Sequence, residues 1–171
     1  MATFMGYRNY DAVIECSKAG RLSRQSGKTK KLDELAMVML TYMALRSIDK
    51  EDTETQRKKH LPYRTYWKGW DAMISDMGMN TLTDEQMESA VKDGLDITQL
   101  AEGRTNTARN RLSRAAKFLE QQGLIRRILK PNITRNQTSV WVLLISPTPE
   151  QNLHDLNQAL GHFNLPCVAE L

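Results

Sequence analysis

Between Asn106 and Gln122 the sequence spaces polar and cationic side chains so that they share one face of a helix. At 100° per residue that face holds Asn106, Asn110, Ser113, Arg114, Lys117 and Gln121, with Arg109 and Arg111 on its flanks. The one acid of the segment, Glu120, lies to the side of this face. Asn, Gln, Ser and Arg side chains can hydrogen-bond to base edges, and Arg and Lys also neutralise phosphates. We therefore expect this face to fit the major groove of duplex DNA.

The opposite face of the same segment predicts the helix that positions those side chains. Its apolar stripe consists of Ala108, Leu112, Ala115, Ala116 and Leu119. Thr105 or Asn106 can cap the helix at its start, and Gly123 can end it. Because alanine is small, the stripe lets the helix pack closely on its neighbours, as expected in a compact three-helix unit.

A β-hairpin is predicted directly after this helix. The segments 124–130 and 138–145 have the composition of strands, and the polar segment 131–137 between them has that of a turn. The second strand is apolar on both faces, so we expect it at the centre of a sheet or beneath another element. The basic side chains of this hairpin, Arg126, Arg127, Lys130 and Arg135, should flank a duplex. The predicted DNA-binding residues are Arg104, Asn106, Arg109, Asn110, Ser113, Arg114, Lys117, Arg126, Arg127, Lys130 and Arg135.

Positive charge is concentrated in two parts of the chain. Residues 1–31 carry a net charge of +5 and residues 104–135 carry +8, whereas 32–103 carry −6 and 136–171 carry −3. A basic block favours binding to a polyanion, because each neutralised phosphate releases condensed counterions. A solvated helix face that binds nothing is an equally good explanation of such charge. Residues 1–31 contain little apolar material, so we expect most of this segment to be a flexible basic arm that adds nonspecific attraction, while Tyr10–Cys16 could form a short helix or strand.

Apolar periodicity and capping signals predict the remaining helices. A core helix should run from Lys31 to about Ile48, followed by an exposed loop over Asp49–His60. A short helix should place Trp70, Met73, Ile74 and Met77 on one face and end at Gly78. Thr83 and Gln86 form a capping-box pattern that opens a polar helix to about Lys92, which we interpret as an insertion. Another helical turn is expected near Ile97–Ala101.

The C-terminal segment predicts one more amphipathic helix. Thr148 and Pro149 form a helix start, and Leu153, Leu156 and Leu160 follow at helical spacing. That stripe needs a partner, either the chain's own domain or a second copy of the chain in a homodimer. The expected organisation is an arm at 1–31, a DNA-binding domain at 32–145, and a C-terminal helix and tail at 146–171.

The run from Thr107 to Arg127, with its Gly123-Leu-Ile125 step from helix into strand, resembles the recognition helix and wing of a winged helix-turn-helix domain. The upstream Tyr66-Trp-Lys-Gly-Trp70 segment is similar to small winged-helix proteins of actinobacterial phages and plasmids, some linked to replication. The resemblance covers about residues 32–145. It implies a mainly α fold with a small β-hairpin (α+β), and a DNA-binding module. The connection Met79–Arg104 is much longer than the usual 3–4 residue turn.

Motifs for catalysis or cofactors are not evident in the sequence. The three histidines, His60, His154 and His162, are far apart, and Cys16 and Cys167 are the only cysteines. No Gly-rich phosphate loop and no nucleophile elbow occur, so we expect no enzyme, no cofactor, no metal and no small-molecule substrate. No apolar stretch approaches the ~20 residues that cross a bilayer and no signal peptide is evident, so we expect a cytoplasmic protein without membrane contact.

These patterns together predict a sequence-specific double-stranded DNA-binding protein. Its role would be that of a transcriptional regulator or of a replication or partition factor of phage or plasmid type, which use the same module. The alternative is an adaptor that binds another protein through a winged-helix scaffold. RNA is disfavoured, because a helix cannot enter the deep, narrow major groove of an A-form duplex.

Overall fold

The computed structural model describes residues 7–49, 62–132, 134 and 137–171. This part of the chain forms six helices and five strands, so the predicted α+β class is confirmed. The elements are α1 (Tyr7–Lys18), β1 (Ser23–Ser26), β2 (Thr29–Leu32), α2 (Glu34–Arg46), β3 (Thr65–Tyr66), α3 (Gly69–Asp76), α4 (Asp84–Lys92), α5 (Ile97–Gln121), β4 (Ile125–Leu129), β5 (Val140–Leu143) and α6 (Pro149–His162).

Strand β5 is the centre of a three-stranded antiparallel sheet with the order β3-β5-β4. On one face Trp141 and Leu143 belong to the main core, which also contains buried residues of α2, α3 and α5. On the other face Val142 and Leu144 pack against α6. The prediction that this strand lies centrally or under another element is confirmed, because both conditions hold.

Helices α2 and α5 together supply half of the buried residues of the main core. The side chain of Asp33 caps α2 by accepting from the backbone N of Ala36 at 2.9 Å, and Met39, Leu40 and Met43 are fully buried. Leu112 of α5 is buried in the same cluster. The predicted core helix is therefore confirmed over Glu34–Arg46, but its predicted start is wrong, because Lys31 belongs to β2. The loop predicted at Asp49–His60 lies, apart from Asp49, outside the described residues.

The expectation of a flexible N-terminal arm at 1–31 is wrong for residues 7–31. These residues form α1 and the β1–β2 hairpin, and α1 packs on α2. Val13 and Leu22 are fully buried, and both belong to the main core. A few well-placed apolar residues order this segment, because their partners are supplied by α2 rather than by the segment itself.

Helix α5 is longer than predicted. It begins at Ile97, where the side chain of Asp96 caps it, and it continues without a break to Gln121. Thr105 and Asn106 are therefore interior residues, and the prediction that one of them caps the helix is wrong. Instead of capping, the hydroxyl of Thr105 donates back to the Ala101 carbonyl at 2.9 Å. The predicted C-terminal end is confirmed, since Gly123 has a φ of +63° in the left-handed region.

Helices α3, α4 and α6 agree with their sequence signals. Gly78 follows α3 with a φ of +62°, and both hydrogen bonds of the Thr83–Gln86 capping box are present in α4. The α6 stripe packs on the sheet of its own chain, which is one of its two predicted partners. The homodimer stays a prediction. In the described part of the chain, no helix combines the length and apolarity needed to cross a membrane.

A buried ion pair joins the N-terminal, central and C-terminal parts of the chain. Arg64 is only 7% exposed; its Nε donates to Asn9 Oδ1 at 3.0 Å and its Nη1 donates to Asp155 Oδ2 at 3.2 Å. Ser146 Oγ donates to the same Asp155 oxygen at 2.9 Å. Burial raises the pKa of Asp155, while its hydrogen bonds and Arg64 oppose that shift. The pair fixes α1 and α6 to the strand region between them.

We predict that Asp155→Ala lowers the free energy of unfolding by about 3–5 kcal/mol, because it leaves the Arg64 guanidinium buried without its counter-ion. Urea denaturation followed by circular dichroism measures the change. The control Gln151→Ala, on the exposed side of the same helix, should change stability by less than about 0.5 kcal/mol. The double variant Arg64→Met/Asp155→Leu removes both charges and should lose less than Asp155→Ala alone. A loss below about 1 kcal/mol for Asp155→Ala would contradict the assigned role.

Candidate nucleic-acid interface

The predicted polar face of α5 is exposed along its length. Its apolar stripe is buried in the main core, so the opposite face is turned outward. The exposed members of the predicted set are Asn106, Arg109, Asn110, Ser113, Arg114 and Lys117. We call these six residues the α5 face. In composition and accessibility the α5 face can offer hydrogen bonds and positive charge to a large anionic partner.

One member of the α5 face is already paired with an acid. Arg109 Nε donates to Asp71 Oδ1 at 2.7 Å, and its Nη2 donates to Asp71 Oδ2 at 2.9 Å. Arg109 also donates to Asn106 Oδ1 at 3.1 Å. The hydrogen bond from Arg109 holds the pKa of Asp71 below its usual value. Because both side chains are well exposed, the pair is open to solvent and to competing anions.

A groove of about 360 Å³ brings the α5 face and the hairpin together. Arg109 lines it from α5, Lys68 and Asp71 line it from the start of α3, and Arg127 and Thr138 line it from the hairpin. Arg127 of the hairpin and Arg109 of the α5 face thus line one depression. The sequence pattern does not predict Asp71 as a member of this groove, because it lies 38 residues from Arg109.

Aromatic packing holds the hairpin against α3. The guanidinium of Arg127 lies 5.4 Å from the centre of the Trp141 ring, and Trp141 stacks on Trp70 at 5.4 Å. The hydroxyl of Thr138 donates to the Trp67 carbonyl. At the nearby Gly69, with a φ of +76°, an added Cβ would lie 3.2 Å from the Thr138 methyl group. Trp70 is half-buried against the main core, and Met73 and Ile74, which the sequence predicts on the same helix face, are buried within it.

Two predicted residues do not lie with the others. Arg104 donates to the Gln86 side chain at 2.7 Å and to the Thr81 carbonyl, so it connects α5 to α4 and its adjoining loop. Arg126 is cross-strand from Val142, whose side chain packs against α6, so Arg126 lies on the sheet face away from α5. The alternation of a strand separates Arg126 from Arg127, and the sequence alone does not indicate which of them faces α5.

The remaining hairpin residues divide between described and undescribed positions. Lys130 is exposed at the end of β4. Arg135 lies outside the described residues. Of the predicted basic residues of the hairpin, Arg127 lines the groove together with Arg109, and Lys130 is exposed just after β4. Lys68, which is absent from the predicted set, is an additional exposed cation beside them.

No protein-family model, curated protein or solved structure matches this chain. In the described part of the chain, no group of three or more histidine, cysteine or acidic side chains is placed to hold a metal ion.

We predict that Arg109→Met raises the pKa of Asp71 toward the ordinary value of an aspartate, because Met removes the donors of the hydrogen bond that lowers it. NMR titration of the side-chain carboxyl carbons measures the shift. Asp76 is the control, since its lowered pKa depends first on Tyr42 and should not change. A depressed pKa means that this pair favours the folded state at neutral pH and that its contribution is lost as the pH falls. An unchanged Asp71 pKa would contradict the assigned contact.

Proposed function

We propose that this protein binds double-stranded DNA in a sequence-specific manner and that α5 is its recognition helix. The observation that carries the proposal is the α5 face: an exposed, continuous surface of Asn, Ser, Arg and Lys side chains, next to a groove lined by Arg127 of the hairpin and by Lys68. Groups of these types can read base edges in the major groove and neutralise phosphates at its rim.

The order of elements supports a winged helix-turn-helix as the architecture behind this function. From α2 onward the described chain runs helix, strand, helix, inserted helix, long helix, strand, strand, and β3, β4 and β5 form one antiparallel sheet. In such a module one helix supports the recognition helix, and the hairpin after it contacts the flanking backbone. Here α3 would be the supporting helix, since it packs on α5, and the segment 126–135 would contain the wing.

Within this proposal the residues of the α5 face have different tasks. Asn110, Ser113 and Arg114 would reach base edges, whereas Lys117 and Lys130 would contact phosphates. Arg109 would exchange Asp71 for DNA on binding. Asp71 would thus compete with DNA phosphates for Arg109 and weaken binding to any duplex. A larger share of the remaining affinity would then come from contacts with bases. The cellular role would be that of a transcriptional regulator or a replication or partition factor of phage or plasmid type.

We predict that base-reading and phosphate-contacting residues respond differently to mutation. Asn110→Ala or Arg114→Ala should reduce the preference for a selected duplex over random DNA by about 1–3 kcal/mol per base pair that the side chain reads. Lys130→Ala should weaken all duplexes alike and reduce the slope of log K against log salt by about one. The duplex is obtained by selection from a random library, and fluorescence anisotropy measures the binding.

Two outcomes would contradict this proposal. Equal losses on selected and random DNA for both kinds of variant would remove the assignment of roles. No enrichment in the selection would remove sequence-specific binding altogether and would favour the adaptor alternative.

The acid next to the α5 face should oppose DNA binding. Asp71→Asn should strengthen binding to random duplex by roughly 3- to 10-fold at moderate salt, because it frees Arg109 and removes a negative charge beside the phosphates. Glu150→Gln is the matched control: it makes the same charge change on α6, which lies on the opposite face of the sheet. If both variants change the affinity equally, net charge rather than the position of Asp71 determines the effect.

A further inference from the structure

The β1–β2 hairpin is a basic element that the proposed recognition surface does not include. Its sequence from Ser23 to Leu32 contains four cations and no acid. Arg24 and Lys31 are directly cross-strand, and Lys28 lies in the two-residue turn. Gly27 in that turn has a φ of +60°, as hairpin turns of the primed types require. The hairpin is thus a defined structure whose side chains are almost all polar.

The two strands of this hairpin bury almost no apolar surface. Apart from Ser23, which is half-buried, all residues of the two strands are exposed. A two-stranded hairpin without a covered face is marginally stable by itself, and like charges directly opposite each other destabilise it further. Two cations at one cross-strand pair therefore oppose folding, and Asp33, which pairs with Arg24, offsets part of that repulsion.

The base of the hairpin is fixed to the rest of the molecule. Leu22 is fully buried, and its carbonyl accepts from the Asp33 backbone N at 2.8 Å. The Asp33 side chain caps α2 and also pairs with Arg24. Arg21 Nη2 donates to the carbonyls of Gln122 and Gly123, each at 3.2 Å, just after α5 ends. These contacts hold the hairpin at a set position beside the C-terminal end of α5.

That position is on the flank of α5 opposite the groove. The guanidinium of Arg24 lies 4.2 Å from the centre of the Phe118 ring, so the hairpin contacts α5 at Phe118. Phe118 is nine residues after Arg109, and at 100° per residue the two side chains point to opposite flanks, about 180° apart. Asn110 and Lys117 lie midway between these flanks. The α5 face therefore runs between two basic hairpins, with the groove and the β4–β5 strands on one side and β1–β2 on the other.

We propose that the β1–β2 hairpin is a second wing, which contacts the phosphate backbone of duplex DNA on the flank of α5 opposite the first wing. This inference rests on the proposed function of the α5 face. Lys31 shares the hairpin face of Arg24, the face that is turned toward α5, because cross-strand partners project to the same side. Lys28 extends the cationic surface to the tip. Arg24, which is held by Asp33, positions the hairpin rather than contacting phosphate.

The test compares a hairpin variant with a charge-matched control on a random-sequence 30-base-pair duplex. Lys28→Gln/Lys31→Gln should weaken binding roughly 10- to 30-fold at 0.1–0.15 M salt and reduce the slope of log K against log salt by about two. Arg8→Gln/Lys92→Gln removes two exposed cations from α1 and α4 and should change the slope by less than half as much. In thermal unfolding, the hairpin variant should be at least as stable as the wild-type protein, because the change relieves the repulsion between Lys31 and Arg24.

Hydroxyl-radical footprinting on a selected duplex locates the contact. The wild-type protein should protect the backbone on both sides of the contacted major groove, Lys28→Gln/Lys31→Gln should lose protection on one side, and Lys130→Ala should lose it on the other. Wild-type binding with an unchanged slope and footprint in the hairpin variant would overturn the second wing and leave the proposed function intact. No binding of the wild-type protein to any duplex would overturn both.

Discussion

The double burial of strand β5 is the constraint on which the rest of the structure depends. Both edges of this strand are paired, to β3 and to β4, and its two faces contact different layers. Trp141 and Leu143 face the helices of the main core, while Val142 faces α6. Because side chains alternate along a strand, a register shift by one position would turn Trp141 and Leu143 toward α6 and Val142 toward the main core. The register is therefore strongly specified, and it fixes which hairpin side chains face α5.

The register of β5 also determines where the basic side chains of the neighbouring strand β4 lie. Arg127 shares the sheet face of Trp141, so its guanidinium lies over that ring and beside the groove shared with Arg109. Arg127 is thus positioned by the aromatic ring beneath it. Arg109, at the edge of the α5 face, is positioned instead by its ion pair with Asp71. An exposed pair of this kind contributes little to stability, so its main physical effect is on what can approach Arg109.

Local signals in the sequence predict much of the fold. Periodicity and capping residues identify α2, α3, α4 and α6, the end of α5 and the hairpin after it, because these signals depend on residues a few positions apart. They do not identify the start of α5, because Gly103 and the polar residues after it weaken the helical pattern, while Asp96 provides the actual cap. Strand β3 escapes prediction because two residues are too short for a period. Helix α1 is indicated only over Tyr10–Cys16, and there as either a helix or a strand, because its few apolar side chains are buried only through α2.

The candidate site shows the same division between local and long-range information. Helical spacing alone predicts that Asn110, Arg114 and Lys117 share an exposed face. The positions of Arg126 and Arg127 depend on strand register, and the partner of Arg109 depends on packing between α3 and α5, neither of which is encoded within a short window.

The long connection between α3 and α5 is compatible with their close packing. The entropy of closing a loop grows only slowly with its length, so an insertion need not disturb the elements that it connects. Here Met73 and Ile74 of α3 and Leu112 of α5 are buried in the same core. Arg104 hydrogen-bonds to Gln86, so the inserted helix α4 lies against the early turns of α5. These turns precede the α5 face in the chain. The additional chain therefore lengthens α5 at its N-terminal end and leaves the Asn110–Lys117 segment uncovered.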